Sequence, residues 1–495
     1  MRLAAALPHV SRSKYARAAT LCLSLLATGL LSGCAVGPDF VRPQPPQTDR
    51  YTRTPLPTTT VSAGGTAQRF TPSSQPAADW WKRFGSPRLD ALVAAGFAGN
   101  PGVQAELASL QQSQDNLRAG YGVFYPQVNA DFNASRQAFS PARFGSNAPP
   151  SLFNLLTLSA SVSYALDVFG GQRRTIEGLQ AQTAFQRATV EATYLTLSGN
   201  LVNAAIAQAA YLDEIDITQQ VITLQQRQLA LTRTQAQAGT VPYTSVLALK
   251  SALAASEATL PPLRQKLEQS RHLLATLAGH APAQWTPPTI RLDELTLPQE
   301  IPVTLPSVLV RQRPDIVAAE ASLHAASAAI GVATAALYPA FTLDAGYGQN
   351  NTSFGNLLQS NATFWSFGPD VSLPVFDGGT LRAKQAAASA GYRQALASYR
   401  QTVLAALGQV ADALRGVQHD AETGQAVFAA RHAAQATLHL LQVNRQAGLV
   451  SSLQVIAADL QYQQARLTCI QIQAQRLQDT TALLVALGGW WNLPA

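Results

Sequence analysis

Between Leu158 and Val168 the even positions are apolar (Leu158, Ala160, Val162, Tyr164, Leu166, Val168), and the odd ones are Ser159, Ser161, Ser163, Ala165 and Asp167. A period of two predicts a strand with one apolar and one polar face. At Phe169-Gly170-Gly171 the period changes, and only single glycines at Gly178 and Gly199 interrupt a long helical stretch downstream. The same construction returns where Trp365, Phe367, Pro369, Val371, Leu373 and Val375 alternate with Ser366, Gly368, Asp370, Ser372 and Pro374, and Phe376-Asp377-Gly378-Gly379 opens a second long helix. Each of these strands has a predecessor. Val128, Ala130, Phe132 and Ala134 alternate with Asn129, Asp131, Asn133 and Ser135, while Phe341, Leu343, Ala345 and Tyr347 alternate with Thr342, Asp344, Gly346 and Gly348. The loop Ser140 to Ser151 makes the first pair a hairpin.

The helix from about Gln172 to Ala238 would be roughly 100 Å long at 1.5 Å per residue. Steps of four and three from Val190 reach Tyr194, Leu197, Leu201, Ala204, Gln208, Tyr211, Ile215, Thr218, Ile222, Gln225 and Leu229, a coiled-coil seam rich in small and polar members. Gly239 stops the helix and Pro242 restarts it. The return runs to about Leu277, with a kink expected at Pro261-Pro262, and ends by Gly279.

The second half repeats the first. Pro101 and Pro126 lie 25 positions apart, as do Pro314 and Pro339, with Tyr125 and Tyr338 before the second proline. Ala238-Gly239-Thr240-Val241 matches Ala447-Gly448-Leu449-Val450 at an offset of 209, and Leu274 and Gly279 match Leu483 and Gly488 at the same offset. The expected organisation is a tandem duplication, with copies at 86–280 and 307–489, each reading helix, strand, strand, long helix, turn, helix. A linker at 281–306 carries prolines 282, 287, 288, 298, 302 and 306, and a short tail follows at 490–495.

Composition changes this picture at the N-terminus. Arg2, Arg12, Lys14 and Arg17 precede the uncharged stretch Ala18 to Leu31, which is too short to span a bilayer comfortably. It ends in Leu31-Ser32-Gly33-Cys34, which resembles the lipobox of bacterial lipoproteins, so 1–33 is expected to be a signal peptide and Cys34 the acylated residue. Ala35 rather than Asp follows it, as in lipoproteins forwarded to the outer membrane. Loss of four positive charges takes the formal +7 to +3, which gives no reason to expect nucleic acid as a partner. Cys22 leaves with the signal and Cys34 takes lipid, so Cys469 has no disulfide partner. Residues 34–85 read as a Pro/Thr-rich strap, with Asp79-Trp80-Trp81 and Phe84 as a packing anchor at its end.

No phosphate-binding loop, His-Glu-x-x-His or paired-cysteine motif is present, so no enzyme chemistry and no cofactor is expected. His432 and His439, seven apart, make at best half a metal site. Beyond the signal, no run of about eighteen consecutive apolar residues occurs, so a membrane crossing must use strands. Four strands cannot close a barrel, because the smallest uses about eight and open edges are not tolerated in lipid. Several chains must therefore share one barrel, and the long helices need neighbours as well. A periplasmic coiled-coil lipoprotein that spans nothing is the structural alternative.

The whole pattern from Cys34 to Trp490 resembles the TolC-type outer-membrane factors, in the lipoprotein branch serving drug-efflux pumps. The resemblance is carried by Val36-Gly37-Pro38-Asp39, Leu305-Pro306-Ser307, Arg311-Gln312-Arg313-Pro314-Asp315, Leu337-Tyr338-Pro339, Leu373-Pro374-Val375-Phe376 and Leu487-Gly488-Gly489-Trp490. It implies a mixed α and β membrane protein. The fold would be a homotrimer with a twelve-stranded outer-membrane β-barrel, four strands per chain, continued by a long periplasmic α-helical barrel. It also implies a periplasmic adaptor and an inner-membrane pump as partners, with small toxic compounds as cargo and secreted protein as the alternative. In that frame Gly239, Thr240, Val241, Gly448, Leu449 and Val450 are the tips that dock the adaptor, with Leu449 and Val450 expected as an exposed apolar pair. Asp131, Asp167, Asp344 and Asp370 line the barrel lumen, one per strand, which implies a lumen tolerant of cations. Family members often hold the closed tunnel with a carboxylate where this chain has Ala457; Asp459 faces elsewhere. Leu453, Ala457 and Leu460 are therefore expected to close the gate by apolar packing.

Overall fold

The computed structural model describes residues 35–73, 79–145, 147 and 149–488. In chain order the elements are β1 (Arg69–Ser73), α1 (Pro87–Gly99), α2 (Pro101–Gly120), β2 (Gln127–Phe139), β3 (Ser151–Leu166), α3 (Gly171–Gln237), α4 (Tyr243–Glu257), α5 (Leu260–Leu277), β4 (Glu300–Thr304), α6 (Pro306–Gln312), α7 (Pro314–Ala335), β5 (Ala340–Asn351), β6 (Thr363–Ser372), α8 (Thr380–Gln446) and α9 (Ser452–Ala486). They fall into two compact units.

The first unit contains the four-stranded antiparallel sheet β2-β3-β5-β6. Its register puts every predicted apolar position on one face: Phe132 lies opposite Leu158, Ala160 opposite Tyr347, and Tyr347 opposite Trp365. β3 begins at Ser151, seven residues before the alternation read from Leu158. β6 ends at Ser372 rather than Val375, opposite Ala340 where its partner β5 begins. Helix neighbours in this unit follow the strand order. Ser113 of α2 meets Thr183 of α3, Gly331 of α7 packs on Arg174 of α3, and Gln385 of α8 donates to Thr334 of α7. α7 has the length and mean hydropathy (1.5) of a membrane helix, although Glu320 and His324 interrupt it, and its small residues approach α3 at Gly178 and Arg174.

The second unit holds the main core, in which Trp80, Phe84, Leu89, Leu201, Ile206, Leu274, Ile290, Ile301, Leu309 and Leu414 are buried. The tryptophan anchor is a short 3-10 turn, Trp80–Phe84, stacked edge-on through Trp81 and Phe97 to Tyr194. Around Leu201–Ala210 helix α3 is enclosed rather than seamed: Val202, Ala205, Ile206 and Ala209 are buried beside the predicted seam positions. In α8 the seam is single, running through Tyr399, Val403, Ala406, Val410, Leu414, Val417, Ala421 and Gly424 at steps of three and four.

Two expectations need revision here. The strap and the linker are not irregular throughout, because β1 and β4 form a two-stranded parallel sheet in the register Arg69 to Glu300. Each strand has five residues and an internal proline, Pro72 and Pro302, so neither alternates visibly. The kink at Pro261-Pro262 is a break: α4 ends at Glu257, the residue whose carbonyl the Pro261 ring would strike. The matching helix α9 has no proline and runs unbroken for 35 residues.

Candidate functional site

Where strands become helices, aspartates make the turn. The Asp167 carboxylate accepts the amide hydrogens of Gln172 and Arg173, both at 2.9 Å, and the Arg173 guanidinium sits at 3.2 Å. At the second junction Asp377 accepts from Gly379 at 2.8 Å and Leu381 at 2.7 Å, and those bonds hold its carboxyl below the usual range. Both act as helix N-caps, where an anion meets unpaired amides and the positive end of the helix dipole. Asp167 therefore does not stand on the sheet with the three other acids expected in the lumen: it lies beyond β3, its oxygens are committed, and its side chain is largely covered.

Asp131, Asp344 and Asp370 are exposed on the polar sheet face, beside Ser159, Gly368 and Thr342 respectively. That face carries no Lys or Arg on any of the four strands. The opposite face is mainly apolar and exposed, with Trp365 75% and Val128 68% accessible, and Arg136, Asn154 and Gln349 stand towards its hairpin-tip end.

The segment after Cys34 is clasped to the first junction. Cys34 itself, the signal peptide and Trp490 lie outside the described residues. Val36 donates its amide to Phe169 O at 3.0 Å, and Ala35 packs on Gly170, which adopts φ 77°. Arg174 reaches back to Asp39 at 2.6 Å and to Glu177 at 2.7 Å. His324 stacks on Phe40, with ring centroids 4.2 Å apart, and meets Glu177 at 2.8 Å. Burial pushes the Glu177 carboxyl up, but the bonds from Arg174 and His324 outweigh it and hold the group below its ordinary value. Gly37, at φ 92°, passes so close to Gly331 that a Cβ would stand 2.6 Å from its Cα. The sequence singled out Val36-Gly37-Pro38-Asp39 but gave no sign of the partners Arg174 and His324.

The two helix turns share one hydrogen-bond pattern. Gly239 donates to Ala236 O and Thr240 to Gln235 O; Gly448 donates to Arg445 O and Leu449 to Asn444 O. This six-to-one plus five-to-two pairing needs the left-handed glycine that both turns have, at φ 75° and 77°. Gly239, Thr240, Gly448 and Leu449 are exposed, and Leu449 is 74% accessible. Val241 is half-buried. Val450 is not exposed as expected, since it packs against the small cluster of Leu438, Val455 and Ala458. α9 then starts from a reciprocal cap between Ser451 and Gln454.

Of the three residues on α9 expected from the sequence to close a gate, Leu453 and Leu460 are half-buried and Ala457 is exposed. Asp459 faces a polar groove of about 450 Å³ lined by Asp216, Gln219, Gln220, Thr223, Arg227 and Gln463. Gln463 donates to Asp459 at 2.9 Å, and Arg466 bridges from α9 to Gln220 of α3 at 2.9 Å. The Arg466–Gln220 link escaped the sequence reading because it joins residues 246 positions apart.

A protein-family model described as outer membrane efflux protein matches residues 96–280 and, again, 305–489. The pyoverdine export outer membrane protein OpmQ of Pseudomonas putida is 30% identical over 425 residues, spanning 83% of this chain and 88% of that protein. The cation efflux system protein CusC of Escherichia coli is 26% identical over 467 residues, 93% of this chain and 97% of that one. Among solved structures the outer-membrane channel OprN superposes with a TM-score of 0.81 at 27% identity, covering 92% of this chain and 100% of that one.

Proposed function

The chain belongs to the outer membrane efflux protein family and is an outer-membrane efflux channel with a periplasmic helical extension; we propose that it works as a lipid-anchored homotrimer at the exit of a tripartite pump. The observation that carries the trimer is the sheet. Its central strand positions segregate into an apolar and a polar face, and its outer strands β2 and β6 each pair on one side only among the described residues. Open edges are not tolerated in lipid, so β6 of one copy pairs with β2 of the next, and three copies close twelve strands. The trimer number itself follows from the family, whose channels work with an adaptor and an inner-membrane pump. The double match of the family model and the twice-used glycine turn support descent by tandem duplication.

Cys34 is the acyl site in this reading, one residue from Ala35 at the strand-to-helix junction. Asp131, Asp344 and Asp370 line the pore, Leu449 leads the adaptor-docking tips, and Leu453, Ala457 and Leu460 close the gate by apolar packing. The relatives named for pyoverdine export and cation efflux favour small cargo over secreted protein. Deleting the gene and screening toxic compounds, with cross-linking from Leu449 to capture the adaptor, tests the assignment. Sensitisation to small compounds is expected; an unchanged spectrum together with loss of a secreted protein would overturn it. Leu453→Ser is expected to raise resting conductance and admit vancomycin, and the gate reading fails if neither changes.

A further inference from the structure

In the second unit, a hairpin of the strap lies over α8 and α9. Thr60 and Gln68 pair across it, Ala63 and Thr66 close its tip, and Gly64 sits on the Phe428 ring. Arg476 of α9, only 4% exposed, holds the tip: it donates to Ala63 O at 3.0 Å and Thr66 O at 3.2 Å. Its Nε is buried without a partner. Beside it Asp420 of α8 and Asp479 of α9 carry neighbouring carboxyls, and one Asp420 oxygen is likewise buried and unpartnered. Gly416, one turn before Asp420, makes room, since a Cβ there would stand 3.0 Å from Asp479 Oδ2. Gln475 donates to the other Asp479 oxygen at 3.0 Å.

Two neighbouring carboxylates repel each other when both are ionised, and one proton held between them removes that repulsion. We propose that the Asp420–Asp479 pair is a proton-dependent latch that decides whether Arg476 holds the strap hairpin or turns to pair with the carboxylates. With the proton in place the repulsion is absent and the guanidinium is free for the two strap carbonyls. With the proton lost, the carboxylates repel each other, and the buried Asp420 oxygen and Arg476 Nε, both unpartnered, are the atoms left to pair. That rotation draws Arg476 off Ala63 and Thr66. The charged groups facing Asp420 are Asp479 and Arg476 from α9 and His419 from its own helix, and the hairpin carries no charge between residues 59 and 68. Burial, then the bond to Asp479 and its charge, push the Asp420 carboxyl up to about 7, against the pull of Arg476 and His419. The latch thus works near neutral pH, and it does not depend on the chain being a channel.

Hydrogen exchange of the full-length protein in detergent, corrected for intrinsic pH dependence, tests it at the amides of Thr60, Ala63 and Thr66. Protection is expected to fall about tenfold between about pH 6 and about pH 8, one proton per site. Asp479→Asn, whose amide bonds Asp420 without a shared proton, is expected to stay protected at both; Asp420→Asn is the second variant should the first not fold. Wild-type protection that is flat over this range, or a fall of wild-type size in a folded variant, overturns the proposal.

Discussion

Arg174 and Asp39, 135 positions apart, meet at 2.6 Å, yet the two ends of that bond are unlike: the arginine side chain is 6% exposed and the aspartate 90%. Arg174→Ala removes a buried cation from the Val36 and Gly37 carbonyls and Glu177 as well as Asp39, and is expected to cost about 2 kcal/mol. Asp39→Ala loses only a solvated ion pair and should cost under about 1 kcal/mol. Denaturation of the two variants in detergent checks the order.

Asp167 separates capping from permeation. Asp167→Ala should cost about 1 kcal/mol through lost N-capping and leave ion selectivity unchanged. Neutralising Asp131, Asp344 and Asp370 together should reduce the preference for cations with little loss of stability. Planar-bilayer reversal potentials beside melting curves distinguish the two.

At the second tip, Leu449→Ser should abolish adaptor cross-linking and leave stability alone, because the side chain is 74% exposed. Val450→Ser should instead cost about 1 kcal/mol by withdrawing from its cluster. Equal cross-linking in wild type and Leu449→Ser would remove this residue from the docking surface.

The Asp420 carboxyl also sets a pH trend for stability. Its folded value is raised from 3.8 to about 7, so the native chain holds a proton that the unfolded chain has released across that window. Stability is then full below about pH 4, declines as pH rises to about 7 and is level beyond. Asp420→Asn should flatten this decline in thermal unfolding followed by circular dichroism.

Strict periods made the strands and long helices legible: alternation from Leu158 to Leu166 fixed one face, and steps of four and three from Val190 to Leu229 marked α3 as a long helix. The glycine turns were equally plain, because only φ near 75° supplies their hydrogen bonds. Partners were not legible. Nothing local marks Arg174 as the clasp for Asp39, Arg476 as the holder of Ala63, or Val450 as inward-facing, since each depends on a segment far away in the chain. β1 and β4 were hidden for a related reason: five residues with a proline show no period. Asp167 misled because alternation reports the side of a strand but not where the strand ends.

In the first unit the helices keep the neighbours of their strands: α2, α3, α7 and α8 stand in the order β2, β3, β5 and β6. Once the ring is closed, girth is therefore one number rather than two. A hairpin added to widen the mouth would bring two more staves to the wall, so a wider pore is reached by adding whole subunits or repeats, never by lengthening a loop.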